Sequence, residues 1–271
     1  MAEVVRLGKP EAPPQAQPGG FVMTETAAEI LRSLNLVRSG ANGGVTMISG
    51  APGIGKTEAL LHLCEELGAQ DAVYLRVAKG EGRPWNIAYN LLNAMGFHES
   101  ALSSYGSLTQ RREYLARIVG KSCIVLVDEA QNLHEYDGKS RLMGAGFEWL
   151  RAMQEEGGFA LAFIGDTTLS PIIADMPQLW SRMRRPLTLK SVGAGDAALL
   201  AARWGVTDAK ALAALDAVAR GRGSLRTVVN VLAAAADFAG GAAPDGAAIR
   251  AAILAEGLTM KGGPQASRRS R

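Results

Sequence analysis

Val45-Thr46-Met47-Ile48-Ser49-Gly50-Ala51-Pro52-Gly53-Ile54-Gly55-Lys56-Thr57 is the stretch that decides the fold. A short apolar run leads into a loop that satisfies the pattern GxxxxGK[ST] at every defined position, and residues 58–67 behind it read as a helix. Strand, glycine loop and helix in that order make a phosphate cradle. Glycines let the backbone curl so that successive N–H groups point inward at phosphate oxygens. The helix N-terminus adds partial positive charge at the same place. Lys56 is therefore read as the cation for the β- and γ-phosphates, and the Thr57 hydroxyl as a ligand of Mg²⁺. The residues from Gly50 to Glu58 are assigned to a nucleoside triphosphate.

Working outward, apolar runs at 45–49, 72–77, 123–127, 160–164 and 186–189 alternate with helical patterns at 58–67, 86–95, 108–119 and 147–155. Alternation of this kind predicts parallel strands joined by crossover helices, here a five-stranded sheet flanked on both faces. The run at 123–127 is continuously apolar, as a strand buried on both faces requires. After Lys190 the pattern is helical throughout, at 199–203, 208–218, 225–238 and 247–254. The expected organisation is an α/β core over 21–190 and an all-helical lid over 191–257. Residues 1–20, with Pro10, Pro13, Pro14 and Pro18, are expected to be a disordered tail. Residues 258–271, with Arg268, Arg269 and Arg271, are expected to be a basic one.

Composition narrows the class. The 271 residues hold two cysteines and no CxxC, so a disulfide framework is excluded and a reducing compartment is expected. Cys64 and Cys123 read as small buried hydrophobes. Lys and Arg number 29 against 26 acids, a net charge of +3, too mild to argue for nucleic acid by itself. No apolar run approaches the ~20 residues of a membrane helix, so a cytoplasmic protein is expected. His62, His98 and His134 show no metal spacing, and His134 is expected at the surface. Trp85, after Pro84, is expected to pack in the core.

The second chemical signal is Ile124-Val125-Leu126-Val127-Asp128-Glu129. A strand ending here presents two carboxylates at its carboxyl end, where open α/β sheets bind ligands. Asp128 suits the Mg²⁺ shell. Glu129 suits a general base that polarises the attacking water.

Four stretches now fall in order: GAPGIGKT at 50–57, VLVDEAQ at 125–131, Gly165-Asp166-Thr167 ending the fourth strand, and Gly223-Ser224-Leu225-Arg226 in the helical part. Together they resemble the AAA+ ATPases over residues 21–257. The DEAQ motif, the chain size and the layout resemble the phage Mu B transposition proteins and their TniB and TnsC relatives. Only a proline-rich stretch precedes the core, which is closer to the shorter TniB-type chains than to Mu B with its added helix-turn-helix.

The resemblance implies further roles. The polar residue after the fourth strand, Asp166 or Thr167, corresponds to sensor 1. An acid beside the γ-phosphate would slow hydrolysis. Arg182 stands where the family has the arginine finger that reaches a neighbouring subunit's nucleotide, with Arg184 and Arg185 as alternatives. Arg226 corresponds to sensor 2. The implied activity is slow, DNA-stimulated ATP hydrolysis with Mg²⁺. The implied partners are double-stranded DNA, a transposase and further copies of the chain in a ring or helical filament, in a bacterial or phage setting without a membrane. Lys79, Arg83 and Arg112 are the first candidates for DNA contact, with Arg111, Lys121, Lys139 and Arg141 as other basic positions. A helicase- or clamp-loader-type ATPase and a non-DNA regulatory switch share the same nucleotide motifs and remain alternatives.

Overall fold

The apolar runs pair as one parallel sheet. Its strands are β1 (Val45–Gly50), β2 (Ala72–Arg76), β3 (Ile124–Asp128), β4 (Ala160–Gly165) and β5 (Leu187–Leu189), in the spatial order β2-β3-β4-β1-β5. The computed structural model describes residues 20–40, 43–134, 144–221 and 223–258. The two expected tails, apart from Gly20 and Leu258, lie outside the described residues, as do Lys139 and Arg141.

Alternation along the strands builds two cores, one on each face. Val125 and Val127 of β3 join Leu161 and Phe163 of β4 and Met47 of β1 on one face. There they pack against α3 (Pro84–Ala94), α4 (Leu108–Val119) and α5 (Ala145–Gly157). Leu126, Ala162, Ile164 and Ile48 face the other way, against α1 (Glu25–Arg38) and α2 (Lys56–Leu67). The chain leaving β1 thus turns to one face, into α2, whereas the chain leaving β3 turns to the other, into α5. Divergence of this kind opens a crevice at the carboxyl ends of the strands.

α1 is an element that the alternation starting at Val45 does not announce. Its pattern is nevertheless helical, with Ala27, Ile30, Leu31, Leu34 and Val37 buried along one stripe. The Thr24 hydroxyl oxygen caps it by accepting from the Ala27 N–H at 3.0 Å. Trp85 corrects an expectation. It is 45% exposed, because α3 buries Ile87, Ala88, Leu91 and Leu92 and leaves Trp85 and Tyr89 on the opposite face. The Arg111 guanidinium lies over its ring at 4.3 Å. His134, expected at the surface, is half-buried.

Between β4 and β5 lie the short helices α6 (Leu169–Ala174) and α7 (Pro177–Trp180). Beyond β5 the chain forms α8 (Asp196–Ala202), α9 (Ala209–Ala219), α10 (Ser224–Phe238) and α11 (Gly246–Ala255). These helices enclose their own core around Leu215, Val228, Val231, Leu232 and Ile253.

Asp196, fully buried at the start of α8, fastens this group to the sheet domain. Its carboxylate accepts from the Glu25 N–H at 2.7 Å, the Thr26 N–H at 3.4 Å, the Thr26 hydroxyl at 2.5 Å and the Gly193 N–H at 2.9 Å. A buried carboxylate persists only with donors of this number. Removing it strands those donors away from water. Asp196→Ala is expected to destabilise the fold by about 1–3 kcal/mol, read as a lower urea midpoint. An unchanged midpoint would show that the carboxylate is not the fastening.

Candidate active site

The loop after β1 has the geometry that its glycines predict. Gly53 and Gly55 take φ of +82° and +93°, a region open to glycine at little cost. Gly55 is also the N-cap of α2 and leaves the first turn's N–H groups without a side-chain cap, free for an anion. Ile54 turns inward and is buried, which pins the loop to the sheet. It packs so close under Gly50 that a Cβ there would come within 2.5 Å of its Cδ1. Lys56 folds over the loop, donating from Nζ to the carbonyls of Gly50 at 2.8 Å and Ala51 at 3.0 Å. Burial lowers the Lys56 pKa from its ordinary value, opposed by the charges of Asp128, Glu129 and Asp166.

Asp128 ends β3 nearly buried. Its Oδ2 accepts from the Thr57 hydroxyl at 2.8 Å and from the Tyr74 hydroxyl at 2.8 Å, and its Oδ1 accepts from the Glu129 N–H at 2.9 Å. Tyr74, on the neighbouring strand β2, is a residue the sequence reading misses. Burial first, and then the negative charge of Asp128, push its hydroxyl above the usual tyrosine range, so it remains a donor. Thr57 and Asp128 bring a hydroxyl and a carboxylate oxygen to one point. That hard-oxygen pair fits Mg²⁺ completed by phosphate oxygens and water.

A cavity of about 540 Å³ runs from this point to the C-terminal helices. Pro52, Gly53, Gly55, Lys56, Thr57 and Glu58 line its floor, with Asp128, Glu129, Asp166 and Arg226 around them. Its other end is built by Phe21, Leu200, Trp204 and Val229. Phe21 is stacked on His62 with ring centroids 3.8 Å apart. A polar, cationic end and an apolar end with aromatic walls match a triphosphate and a base. The second group escapes sequence reading because it converges only when α8 and α10 dock on the core.

The loop and α10 touch through the backbone. The Arg226 N–H donates to the Gly53 carbonyl at 3.1 Å, and a Cβ on Gly53 would come within 2.1 Å of the Gly223 carbonyl oxygen.

Asp166 lines the cavity, while its Oδ1 accepts from the Thr168 N–H at 2.8 Å and hydroxyl at 2.5 Å. Thr167 is exposed and does not line it. Arg182 follows α7, outside the cavity, and its Nε donates to Glu155 Oε1 at 2.5 Å. Arg185 is tied to Glu29 of α1 at 2.6 Å. Lys79 and Arg83 lie exposed in the loop after β2. Arg112 is paired with Glu156 at 2.7 Å. Cys123 is buried and its thiol pushed up to about 12, and Cys64 is half-buried, so both behave as apolar side chains. Gln131, unassigned by sequence, donates from its amide to Glu129 Oε2 at 2.6 Å.

Two family descriptions match the chain. "AAA domain" matches residues 38–173, and "Mu B transposition protein, C terminal" matches residues 181–255. A protein of Thermoplasma acidophilum described as an ORC1-type DNA replication protein 1 is 33% identical over 115 residues. The match takes in 41% of this chain and 33% of that protein, so the chain spans about a third of the relative's length. The Aeropyrum pernix ORC2 protein, solved as ADPNP-ADP complexes, superposes with a TM-score of 0.61 at 18% identity, covering 89% of this chain and 71% of that one. The Aeropyrum pernix ORC1 protein in complex with DNA gives 0.60 at 20% identity, covering 90% and 68%. At these identities the likeness is one of fold.

The contact between loop and α10 is directly testable. Gly53→Ala forces a side chain into a left-handed backbone position and into the Gly223 carbonyl. Its affinity for ATP is expected to fall at least about tenfold by equilibrium titration, a loss of ~1.4 kcal/mol or more. Parental affinity would show that the loop can move away from α10 without consequence.

Proposed function

The chain belongs to the AAA domain family, as an AAA+ ATPase with a C-terminal region of the Mu B transposition protein type, and on that basis we propose that it assembles on duplex DNA when ATP is bound. In this reading it selects target DNA and recruits or activates a transposase. The observation that carries the proposal is the bond between Arg226 and Gly53. It joins the part matched as Mu B C-terminal region to the part matched as AAA domain at the phosphate loop itself. A γ-phosphate on that loop is then felt by both parts.

The chemistry assigned to each residue follows from position. Loop N–H groups and Lys56 hold the phosphates, Lys56 exchanging its two loop carbonyls for phosphate oxygens. Thr57 and Asp128 would hold Mg²⁺, which neutralises phosphate charge when bound. Tyr74 keeps the Asp128 oxygen aimed at Thr57. Glu129 takes the proton of the attacking water. Arg226 reads the γ-phosphate from the helical lid over 191–257. Arg182 reads it from a neighbouring copy, where a cation aimed at the γ-phosphate stabilises transition-state charge. Asp166, a carboxylate lining the same cavity, would repel the γ-phosphate and so slow hydrolysis. Lys79 and Arg83, in the loop after β2, and Arg112, beside Glu156, are the proposed DNA contacts. DNA bound to an ATP-built assembly would be released as hydrolysis loosens each interface.

Negative-stain microscopy with duplex DNA tests this reading. Rings or filaments coating DNA are expected with ATP and Mg²⁺. They are expected to vanish without nucleotide, with a chelator, and in Lys56→Ala. Particles that ignore DNA under every nucleotide condition would overturn it in favour of a regulatory ATPase, and assembly confined to a partner ring protein would favour a loader.

A further inference from the structure

Gln131 stands between two strands. It belongs to the 3-10 helix Ala130–His134, which crosses the carboxyl ends of β3 and β4. Its Nε2 donates to Glu129 Oε2 at 2.6 Å, and its Oε1 accepts from the Asp166 N–H at 3.2 Å. Both functional atoms of the amide are therefore used, one on each side. Asn132, next in the chain, donates from Nδ2 to the Val77 carbonyl at 2.8 Å and so fastens the same turn to the end of β2.

Two observations show that this arrangement is built. Glu129 has φ of +56°, a backbone setting that residues with a side chain enter rarely and that persists only when the surroundings impose it. Gly165, at the end of β4, leaves the space into which the Gln131 amide fits, since a Cβ there would lie 2.4 Å from Gln131 Oε1. Gly165 itself has no positive φ, so close approach is what the glycine serves.

A glutamate side chain has three rotatable bonds, and a base that wanders is a poor base. The Gln131 amide occupies one carboxylate oxygen of Glu129 and leaves Oε1 to meet a water. We propose that Gln131 is a positioning residue for ATP hydrolysis. It fixes the Glu129 carboxylate, and through the Asp166 N–H it sets that carboxylate relative to the end of β4, where Asp166 lines the cavity. The inference rests on Glu129 being the base. Gln131 does not line the cavity, so nucleotide binding does not depend on it.

The test is a separation of kcat from affinity. ATP hydrolysis with duplex DNA, ATP binding and thermal melting are measured for Gln131→Met, Gln131→Glu, Gly165→Ala and, as control on the base, Glu129→Gln. Gln131→Met removes the amide at nearly constant shape. Its kcat is expected to fall about 10- to 100-fold, with KM and the Kd for ATP within about twofold of the parent. Gln131→Glu is expected to fall further, because a second carboxylate faces Glu129. Gly165→Ala is expected to lower kcat in the same direction by displacing the amide, and it carries the test alone if Gln131→Met fails to fold. A parental kcat in Gln131→Met or Gly165→Ala overturns the inference. So does a loss of affinity in step with kcat, the sign of a merely structural residue. If Glu129→Gln is inactive while Gln131→Met is parental, the positioning role alone falls. If Glu129→Gln hydrolyses at the parental rate, the assignment of the base falls with it.

Discussion

The backbone bond from the Arg226 N–H to the Gly53 carbonyl is the contact on which the rest of the molecule turns. A phosphate loop needs its N–H groups facing inward, and the carbonyls must then face outward. One of those outward carbonyls is taken by the first turn of α10. Gly53, with positive φ, allows the two backbones to approach to a distance that no Cβ would permit, since a Cβ there would lie 2.1 Å from the Gly223 carbonyl oxygen. The loop's conformation and the seating of the helical group are thus one constraint. The cavity between them inherits its shape from it, with the loop and Lys56 at one end and Phe21, Leu200 and Trp204 at the other. Asp196 secures the same helical group from a second point, through four donors at α1 and Gly193.

A second layer of order lies along the carboxyl ends of the strands. Asp128 would be costly to bury alone, but Thr57, Tyr74 and the Glu129 N–H donate to it. The carboxylate is thus satisfied by donors of the chain itself. On the proposed reading Thr57 and Asp128 would hold Mg²⁺, and Tyr74 would go on orienting the Asp128 carboxylate. Gln131 and Asn132 extend the network sideways to β4 and β2. The Glu129 carboxylate, the loop after β2 and the turn after β4 are consequently linked by hydrogen bonds to one short 3-10 helix.

The sequence made the parts with local signatures legible. The strand–loop–helix at 45–67 and the apolar run into Asp128 each carry their chemistry in consecutive residues, and the five strands follow from alternation. What it hid was convergence. Tyr74 looks like any half-buried strand residue until β2 pairs with β3 in the register that puts Arg76 beside Asp128. Phe21, Trp204 and Val229 share a wall only after the helical group docks. α1 was readable from Thr24 and the stripe Ala27, Ile30, Leu34, yet it precedes the first strand and lies outside the alternation. Trp85 is exposed because it lies opposite Ile87 and Leu91, the buried face of α3, which its place after Pro84 does not show by itself. For sensor 1, two adjacent polar residues were indistinguishable in sequence; in the fold Asp166 lines the cavity and Thr167 is exposed.

Under the proposed assembly, the surroundings of Arg182 describe how a single chain would be prepared for a neighbour. Burial pushes the Glu155 carboxyl up, but its hydrogen bond from Arg182 and the charge of Arg151 hold it below the usual range. Arg182 therefore has a partner in the isolated chain, at a site where its side chain is 44% exposed. Exposed pairs of this kind are worth only about 0–1 kcal/mol. A γ-phosphate presented by a neighbouring copy carries more negative charge in a drier place, so on the proposed reading the exchange from Glu155 to phosphate runs downhill. Glu155 keeps Arg151 after the exchange and is not left unpaired. On the proposed reading the same ion pair would keep Arg182 oriented before assembly and cost little to break during it, as a subunit joining and leaving with each nucleotide would require.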